Sequence, residues 1–177
     1  MKSIALILFL TCCLTACKSS KRVAEKKSST LEIMGTSDTD SIKPLNSNTY
    51  SKINSIVDYA IQFDGVSYRY GGTTKKGMDC SGLITTAFKS EDILLPRTTG
   101  DLASTGNSID LKEVQKGDLL FFATRKNSRK VNHVGLVINA RPGYVEFIHA
   151  TTSAGVIISS LADQFWYFAF VQARRIL

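Results

Sequence analysis

The spacing of apolar residues along the chain changes near Gly117. Before that point they recur every three or four positions, which is the period of a helix with one buried face. Together with the glycines and the proline that interrupt it, this period predicts helices over residues 49–63, 80–89 and 97–104. The segment 68–78 contains three glycines, and we expect it to form a loop.

After Gly117 the apolar residues form short runs that are typical of strands. The predicted strands are 118–122, 131–139, 144–150, 156–159 and 168–175. Arg141-Pro142-Gly143 is predicted to form a tight turn, and short connections of this kind imply antiparallel pairing. Helices followed by strands indicate an α+β fold, with N-terminal helices packed on a central antiparallel β-sheet.

Four consecutive aromatic residues lead into the last predicted strand, Phe165-Trp166-Tyr167-Phe168. They fit either the buried core or an exposed edge at which another molecule docks. Of these two interpretations we favour the core.

The N-terminal residues are not predicted to belong to this fold. Lys2 precedes an apolar segment, residues 4–14, that is too short to span a bilayer as a helix. It ends in Leu14-Thr15-Ala16-Cys17, which resembles a bacterial lipobox and implies cleavage before Cys17 and a diacylglyceryl group on its sulfur. The alternative is an ordinary secretory signal that is cleaved nearby.

Residues 17–48 are rich in Ser, Thr, Lys and Asp, and we expect a disordered tether. The predicted organisation is a lipoprotein signal peptide over 1–16, the lipidated Cys17 with its tether over 17–48, and a folded domain over 49–177. Acyl chains on Cys17 would anchor the domain to a membrane of the cell envelope. The outer membrane, with the domain facing the periplasm, is the favoured location.

The formal net charge of +7 is a moderate basic excess that is spread along the sequence. Aromatic residues do not interleave with the basic ones, so nucleic acid is not an expected partner. An anionic surface or polymer fits this charge better.

One thiol remains available for chemistry after the predicted processing. Cys12 and Cys13 leave with the signal peptide and Cys17 is lipidated, so Cys80 is the only free cysteine of the mature chain. Because Cys80 opens a predicted helix, free backbone N–H groups and the helix dipole should favour its thiolate.

The chain has two histidines, His133 and His149, on two predicted strands that a short turn joins. Side chains on one face of adjacent antiparallel strands approach closely, so the two imidazoles can lie side by side. With Cys80 they would form a nucleophile, a general base and an orienting residue. The competing interpretations are core histidines and a small buried cysteine. A zinc site is not expected because the short ligand spacings are missing, and no cofactor is implied.

The chain resembles the NlpC-type cell-wall peptidases, which are compact papain-like cysteine enzymes, over about residues 50–177. The resemblance rests on six short blocks: Tyr68-Arg69-Tyr70-Gly71-Gly72, Asp79-Cys80-Ser81-Gly82-Leu83, Leu94 with Pro96-Arg97-Thr98, Gly117-Asp118-Leu119, His133-Val134-Gly135 and His149-Ala150-Thr151. The segments 153–158 and 173–175 further resemble the Spr (MepS) subgroup of lipoproteins.

The resemblance implies a papain-like NlpC fold with Cys80 as nucleophile, His133 as general base and His149 as orienting residue. Tyr68 matches a tyrosine near the oxyanion, whose alternative role is that of a packing aromatic. Two further positions, Asp79 and Ser81, match the substrate groove but also suit helix capping. Arg97 would meet a substrate carboxylate, or else be solvated or ion-paired.

The expected function is a lipid-anchored peptidoglycan endopeptidase that acts on stem peptides through an acyl-enzyme. The subgroup favours the D-Ala–diaminopimelate cross-link over the γ-D-Glu–diamino acid bond. A regulatory adaptor or protease is a further expected partner. The alternatives are a catalytically silent lipoprotein that binds peptidoglycan or scaffolds other hydrolases, and an acyltransferase.

Overall fold

A computed structural model of the protein describes residues 46–177. The predicted signal peptide, Cys17 and nearly all of the predicted tether lie outside these residues. The helices are α1 (Ser47–Ile61), α2 (Cys80–Lys89), α3 (Thr99–Leu102) and α4 (Gln164–Ala169). The strands are β1 (Thr73–Thr74), β2 (Gly77–Met78), β3 (Asn107–Ile109), β4 (Leu119–Phe122), β5 (His133–Arg141), β6 (Tyr144–Thr151), β7 (Gly155–Ser160) and β8 (Phe170–Arg175).

The two long helices begin at side chains that cap them. The Asn46 side chain accepts a hydrogen bond from the Asn48 N–H and so starts α1 two residues earlier than predicted. The Asp79 side chain accepts from the Gly82 N–H and starts α2 at Cys80, as predicted. Helix α2 is buried along most of its length, because it lies between α1 and the sheet.

Six strands form one antiparallel sheet in the order β3-β8-β4-β5-β6-β7. The central strand β4 is buried on both faces: Leu119 and Phe121 belong to the core beneath α1 and α2, while Leu120 and Phe122 belong to a second core beneath α4. This two-sided burial explains why β4 reads as a continuous apolar run rather than an alternating one. The predicted α+β class, with helices packed on an antiparallel sheet, is confirmed.

A buried ion pair ties the end of β8 to the turn before β4. The Arg175 guanidinium donates to both Asp118 carboxylate oxygens, at 2.8 and 2.7 Å. The Gln115 N–H donates to the same carboxylate at 2.7 Å, and Asp118 is 1% exposed. This contact gives the Gly117-Asp118-Leu119 block a structural role.

Three local predictions are wrong. The segment predicted as a glycine-rich loop contains a small hairpin, β1–β2, and the edge strand β3 was not predicted. The four aromatic residues lie in α4 rather than in a core strand, and Phe165, Tyr167 and Phe168 are 58, 59 and 67% exposed. Only Trp166 packs against the second core, so the core interpretation is wrong for three of the four. Within residues 46–177, no helix combines the length and the apolar character that crossing a membrane requires.

Candidate active site

The two histidines lie together on the sheet face opposite α2. His133 pairs with Phe122, and the two side chains therefore share the face of the second core. Leu136 pairs with Ile148, so His149 is a diagonal neighbour of His133 on the adjacent strand. Their rings meet edge to face, and His133 Nε2 lies 2.8 Å from His149 Nδ1. The predicted contact between the imidazoles is present.

Gly135 makes room for this pair. A Cβ at this position would lie 2.5 Å from the Phe147 ring, which would then have to move. The Phe147 ring packs against His149 with a centroid separation of 4.8 Å. The absence of a side chain two residues after His133 therefore lets Phe147 support the second imidazole, which explains the His133-Val134-Gly135 block.

The hydrogen bonds continue beyond His149 to a residue that sequence analysis did not single out. His149 is completely buried, and its Nε2 lies 2.9 Å from Ser159 Oγ on β7. If Ser159 accepts the Nε2 hydrogen, His149 Nδ1 is an acceptor and His133 Nε2 is a donor. In that arrangement His133 Nδ1 carries no hydrogen, so it is the nitrogen able to take a proton.

Trp166 packs against both imidazoles. Its ring is stacked on His133 at 5.4 Å and meets His149 edge to face at 4.6 Å. Burial lowers the pKa of His133 to about 4 and, together with the charge that His133 would carry, lowers the pKa of His149 to about 3. Both imidazoles are therefore neutral near pH 7.

The Cys80 sulfur lies at the first residue of α2, beside the start of β5. Sγ lies 3.6 Å from Thr99 Oγ1, and the Val134 N–H, next to His133 in the chain, also hydrogen-bonds it. Burial raises the pKa of the Cys80 thiol, and these hydrogen bonds offset only part of that effect. The Ser81 N–H at the helix start lowers the pKa of Cys80, as the helix position predicts, but burial of the sulfur outweighs this effect.

Asp79 joins the cysteine helix to the glycine-rich segment. One carboxylate oxygen accepts from the Gly82 N–H at 2.6 Å, and the other accepts from the Gly71 N–H at 2.7 Å. Burial alone would raise the pKa of Asp79, but hydrogen bonds from Arg97 and these two N–H groups hold it below its usual range. A Cβ on Gly82 would lie 2.1 Å from the Gly72 carbonyl oxygen. The close approach of the α2 backbone to the glycine-rich segment therefore requires a glycine at position 82.

Two other predicted groove residues belong to the same cluster. Arg97 donates to Asp79 at 2.8 Å and to the Ser81 hydroxyl at 2.7 Å. Ser81 is buried and donates in turn to Asp79, at 3.3 Å. The structure thus shows capping and ion pairing for Asp79, Ser81 and Arg97. Contact of these residues with a substrate remains a prediction.

Tyr68 lies half-buried against the first core, near the cysteine. Its pKa is raised by burial and by the proximity of Cys80 and Asp79, so its hydroxyl keeps its proton and can donate a hydrogen bond. Tyr70, by contrast, is 90% exposed, and therefore it does not help to hold the fold.

The structure therefore places Tyr68 near Cys80 and joins His133 to His149. Val134, whose N–H hydrogen-bonds Cys80, follows His133, but among residues 46–177 no hydrogen bond joins Cys80 to His133, so direct contact of the thiol with the base stays a prediction. Sequence analysis missed Thr99, Ser159 and Trp166, which contact the cysteine or the histidines. Ser159 and Trp166 lie 10 and 17 residues beyond His149. They follow turns whose lengths the apolar pattern does not fix, so no local signal could place them on the imidazoles.

Comparison with known proteins gives consistent matches. The model of the NlpC/P60 family matches residues 65–175. The probable endopeptidase NlpC homolog of Haemophilus influenzae is 45% identical over 114 residues, which are 64% of this chain and 57% of that protein. The murein DD-endopeptidase MepS/murein LD-carboxypeptidase of Escherichia coli K12 is 40% identical over 123 residues, which are 69% of this chain and 62% of that protein. The chain thus spans less than two-thirds of the length of these curated relatives.

The fold agrees with these sequence matches. A crystal structure of an NlpC/P60 family protein from Bacillus cereus superposes with a TM-score of 0.64 at 32% identity, covering 71% of this chain and 40% of that one. The resemblance to the Spr (MepS) kind of cell-wall peptidase is confirmed by the relatives' names and by the matched region. The family model covers well over half of the sequence, and the chain belongs to the NlpC/P60 family.

Proposed function

We propose that the protein is a lipid-anchored peptidoglycan endopeptidase that cuts an amide bond by way of a Cys80 acyl-enzyme. Members of its family carry endopeptidase names, among them a murein DD-endopeptidase. The observation that carries the proposal is the placement of the Cys80 sulfur against the Val134 N–H, beside a His133–His149–Ser159 hydrogen-bond chain. A thiol, a base and an orienting group are the parts that acyl transfer requires.

In the first half of the reaction Cys80 Sγ attacks the amide carbonyl carbon while His133 takes the thiol proton. Collapse of the tetrahedral intermediate breaks the C–N bond, and His133 returns the proton to the departing amine. In the second half His133 takes a proton from water, whose oxygen attacks the thioester. Collapse then breaks the C–S bond, returns the proton to sulfur and releases the new carboxyl group.

The buried imidazole suits a general base that stays neutral until attack begins. Since burial disfavours both the thiolate and the imidazolium, the proton moves only as negative charge develops on the carbonyl oxygen. The Tyr68 hydroxyl and the Cys80 N–H are the donors we assign to that oxygen. His149 holds the His133 ring and accepts its Nε2 hydrogen.

The favoured bond is the D-Ala–diaminopimelate cross-link, because a murein DD-endopeptidase of the Spr (MepS) kind is among the similar proteins, at 40% identity. The Arg97–Asp79–Ser81 cluster would lie along the substrate groove, with Arg97, which is 41% exposed, facing a substrate carboxylate. The lipid on Cys17 would hold the domain at the outer membrane. A flexible tether over 17–48 gives a root-mean-square reach of about 30 Å toward the cell wall.

Digestion of purified cross-linked muropeptides by the full chain and by Cys80→Ala tests the proposal. We expect the native protein to convert dimers into two monomers, one of which ends in D-Ala, and Cys80→Ala to be inactive. Release of the muropeptide sugar carrying only L-Ala–D-Glu would move the cut to the γ-D-Glu–diamino acid bond. Equal digestion by Cys80→Ala would overturn the cysteine mechanism.

A catalytically silent protein that binds peptidoglycan is the second candidate. The raised pKa and burial of the Cys80 thiol are the observations that favour it. This candidate predicts that the native chain binds purified peptidoglycan without changing the mass of any muropeptide. Slow alkylation of Cys80 would not separate the two functions, because burial slows alkylation in either case.

A further inference from the structure

A groove with two kinds of side chain lies beside the imidazole pair. Its walls are α4 and the connection between β4 and β5, and its volume is about 540 Å³. Phe165 and Phe168 line one wall, and Arg125 and Lys126 line the other. We call this feature the basic aromatic groove. None of these residues belongs to the cysteine, histidine or Asp79 clusters.

The aromatic wall is exposed although the same helix has a buried side. Phe165 and Phe168 are 58 and 67% exposed, while Trp166 and Ala169 of the same helix pack on the second core. Exposed aromatic rings that line a concavity are typical of binding sites, whereas scattered apolar residues are not. The exposed rings of Phe165 and Phe168 therefore favour binding of a ligand that has an apolar face.

The other wall belongs to a cationic connection. Four basic residues lie within six positions, Arg125, Lys126, Arg129 and Lys130, and no acidic residue lies between Asp118 and Glu146. Among residues 46–177, no ion pair involves any of these four cations. The groove thus presents positive charge that no carboxylate of the described domain neutralises, which favours an anionic ligand.

The groove is fixed to the site rather than free to swing away. Asn132 precedes His133, and its side chain accepts from the Thr124 N–H at 2.8 Å and donates to the Thr124 hydroxyl at 2.9 Å. On the other wall Phe165 meets Trp166 at 4.8 Å between ring centroids, and Trp166 is stacked on His133. Each wall is therefore one residue away from a direct contact with the general base we assign.

We propose that the basic aromatic groove binds the peptidoglycan strand next to the bond that is cut. This inference rests on the proposed function. The carboxylates of a neighbouring stem peptide would pair with Arg125 and Lys126, and the apolar face of a sugar ring would lie on Phe165 or Phe168. The groove would then select polymeric peptidoglycan over a free cross-linked peptide, because only the polymer reaches both the groove and the cysteine.

Anionic membrane lipid is the other ligand that aromatic and basic residues suit. The geometry favours the strand, because a bilayer seated on this groove would cover the adjacent end of the sheet. That end holds Cys80 and His133, which a substrate has to reach.

Binding to purified, insoluble peptidoglycan sacculi tests the proposal, using the full chain with Cys80→Ala so that nothing is cut. Adding Arg125→Ala and Lys126→Ala should weaken pelleting with sacculi about tenfold at low salt, and the difference should shrink as salt screens the charges. The matched control is Lys89→Ala with Lys112→Ala, which removes the same charge from exposed positions outside the groove. It should bind as the parent does.

A second pair of variants tests the aromatic wall on a single helix. Phe168→Ala should weaken sacculus binding about fivefold. Tyr167→Ala, whose side chain is 59% exposed on α4 against 67% for Phe168 but does not line the groove, should leave it unchanged. Equal binding by the groove variants and their controls would overturn the proposal. So would unchanged sacculus binding with a loss of pelleting with phosphatidylglycerol vesicles, which would assign the groove to lipid.

The same variants in the chain with Cys80 intact separate this inference from the proposed function. We expect the groove variants to digest a sugar-free cross-linked peptide at the native rate but sacculi more slowly. If the native chain digests neither substrate while binding still depends on the groove, the proposed function fails and the groove stands. If the native chain digests both substrates and no groove variant changes binding, the groove proposal fails and the proposed function stands.

Discussion

The chain of contacts from His133 through His149 to Ser159 determines which imidazole nitrogen can accept a proton. His149 is completely buried, so each of its ring nitrogens needs a partner inside the protein, and His133 and Ser159 supply them. Ser159 is therefore a positioning residue in this account. It acts on the cysteine only through the two imidazoles.

Ser159→Ala should lower kcat about three- to tenfold and change KM little, because the Nε2 hydrogen of His149 loses its partner and the useful tautomer loses its preference. Ser159→Thr should restore most of the rate. Steady-state kinetics with a cross-linked peptide, together with the ¹⁵N chemical shifts of both imidazoles, would measure the two effects.

The control is Ser160→Ala, because that hydroxyl bonds the Ala162 N–H in a turn and contacts neither histidine. It should keep the native kcat and the native imidazole shifts. A Ser159→Ala protein with native kcat and shifts would show that the third contact of the chain has no part in catalysis.

The sequence predicts those site residues whose chemistry or capping role depends only on their neighbours along the chain. Cys80 stands out as the only free cysteine that the predicted processing would leave, and Asp79 precedes the helix that it caps. Sequence analysis could not reach Ser159 or Trp166, because their contacts depend on how β6, β7 and α4 fold back over the histidines. It also overestimated the thiolate character of Cys80, because the helix start predicts hydrogen bonds to the sulfur but not the burial that outweighs them.

At the scale of elements, the strand β4 and the buried ion pair at its start hold the two cores together. The strand contributes alternate side chains to both cores, and Asp118 anchors its first turn to the end of β8. The continuous apolar run predicted β4 correctly. The six-residue helix α4 was missed because its Phe-Trp-Tyr-Phe sequence has strand propensity and its length is too short for a helical period to show.

Asp118→Ala should lower the free energy of unfolding by about 3 kcal/mol, because it leaves the Arg175 guanidinium and the Gln115 N–H without their acceptor. Urea denaturation followed by circular dichroism measures this change. Asp110→Ala is the matched control, since its ion pair with Lys112 joins two side chains that are each about 75% exposed. It should change the stability by less than about 0.5 kcal/mol. Similar decreases in the free energy of unfolding of both variants would show that burial of the Asp118 carboxylate does not contribute to stability.

At the scale of the whole molecule, the site lies where the helical layer meets one end of the sheet, and there His149 is completely buried and His133 is half-buried. Such burial couples the chemistry to the stability of the fold. The folded-state pKa values of about 4 and about 3 lie below the ordinary value of 6.5, so the unfolded chain binds protons first as the pH falls. Protonation of the two histidines therefore does not change the free energy of unfolding above pH 6.5, and it lowers this free energy progressively between pH 6.5 and about 4.

We expect the free energy of unfolding to fall in this range by roughly 1.4 kcal/mol per pH unit for each histidine. His149→Gln should reduce that slope by about half, because one of the two groups no longer titrates. Urea titrations at half-unit pH steps would measure the slopes. A stability that is flat from pH 7 to 5 would contradict the assignment of both imidazoles as buried and neutral.

The central claim is that Cys80 carries the acyl group during peptide-bond cleavage. Acid-quenching the reaction of the full chain with a cross-linked muropeptide, followed by mass spectrometry of the protein's proteolytic fragments, tests it most directly. We predict that the fragment with Cys80 gains the mass of the substrate less that of the departing amine product, and that Cys80→Ala shows neither adduct nor product. Product formation by Cys80→Ala at the native rate would contradict the claim.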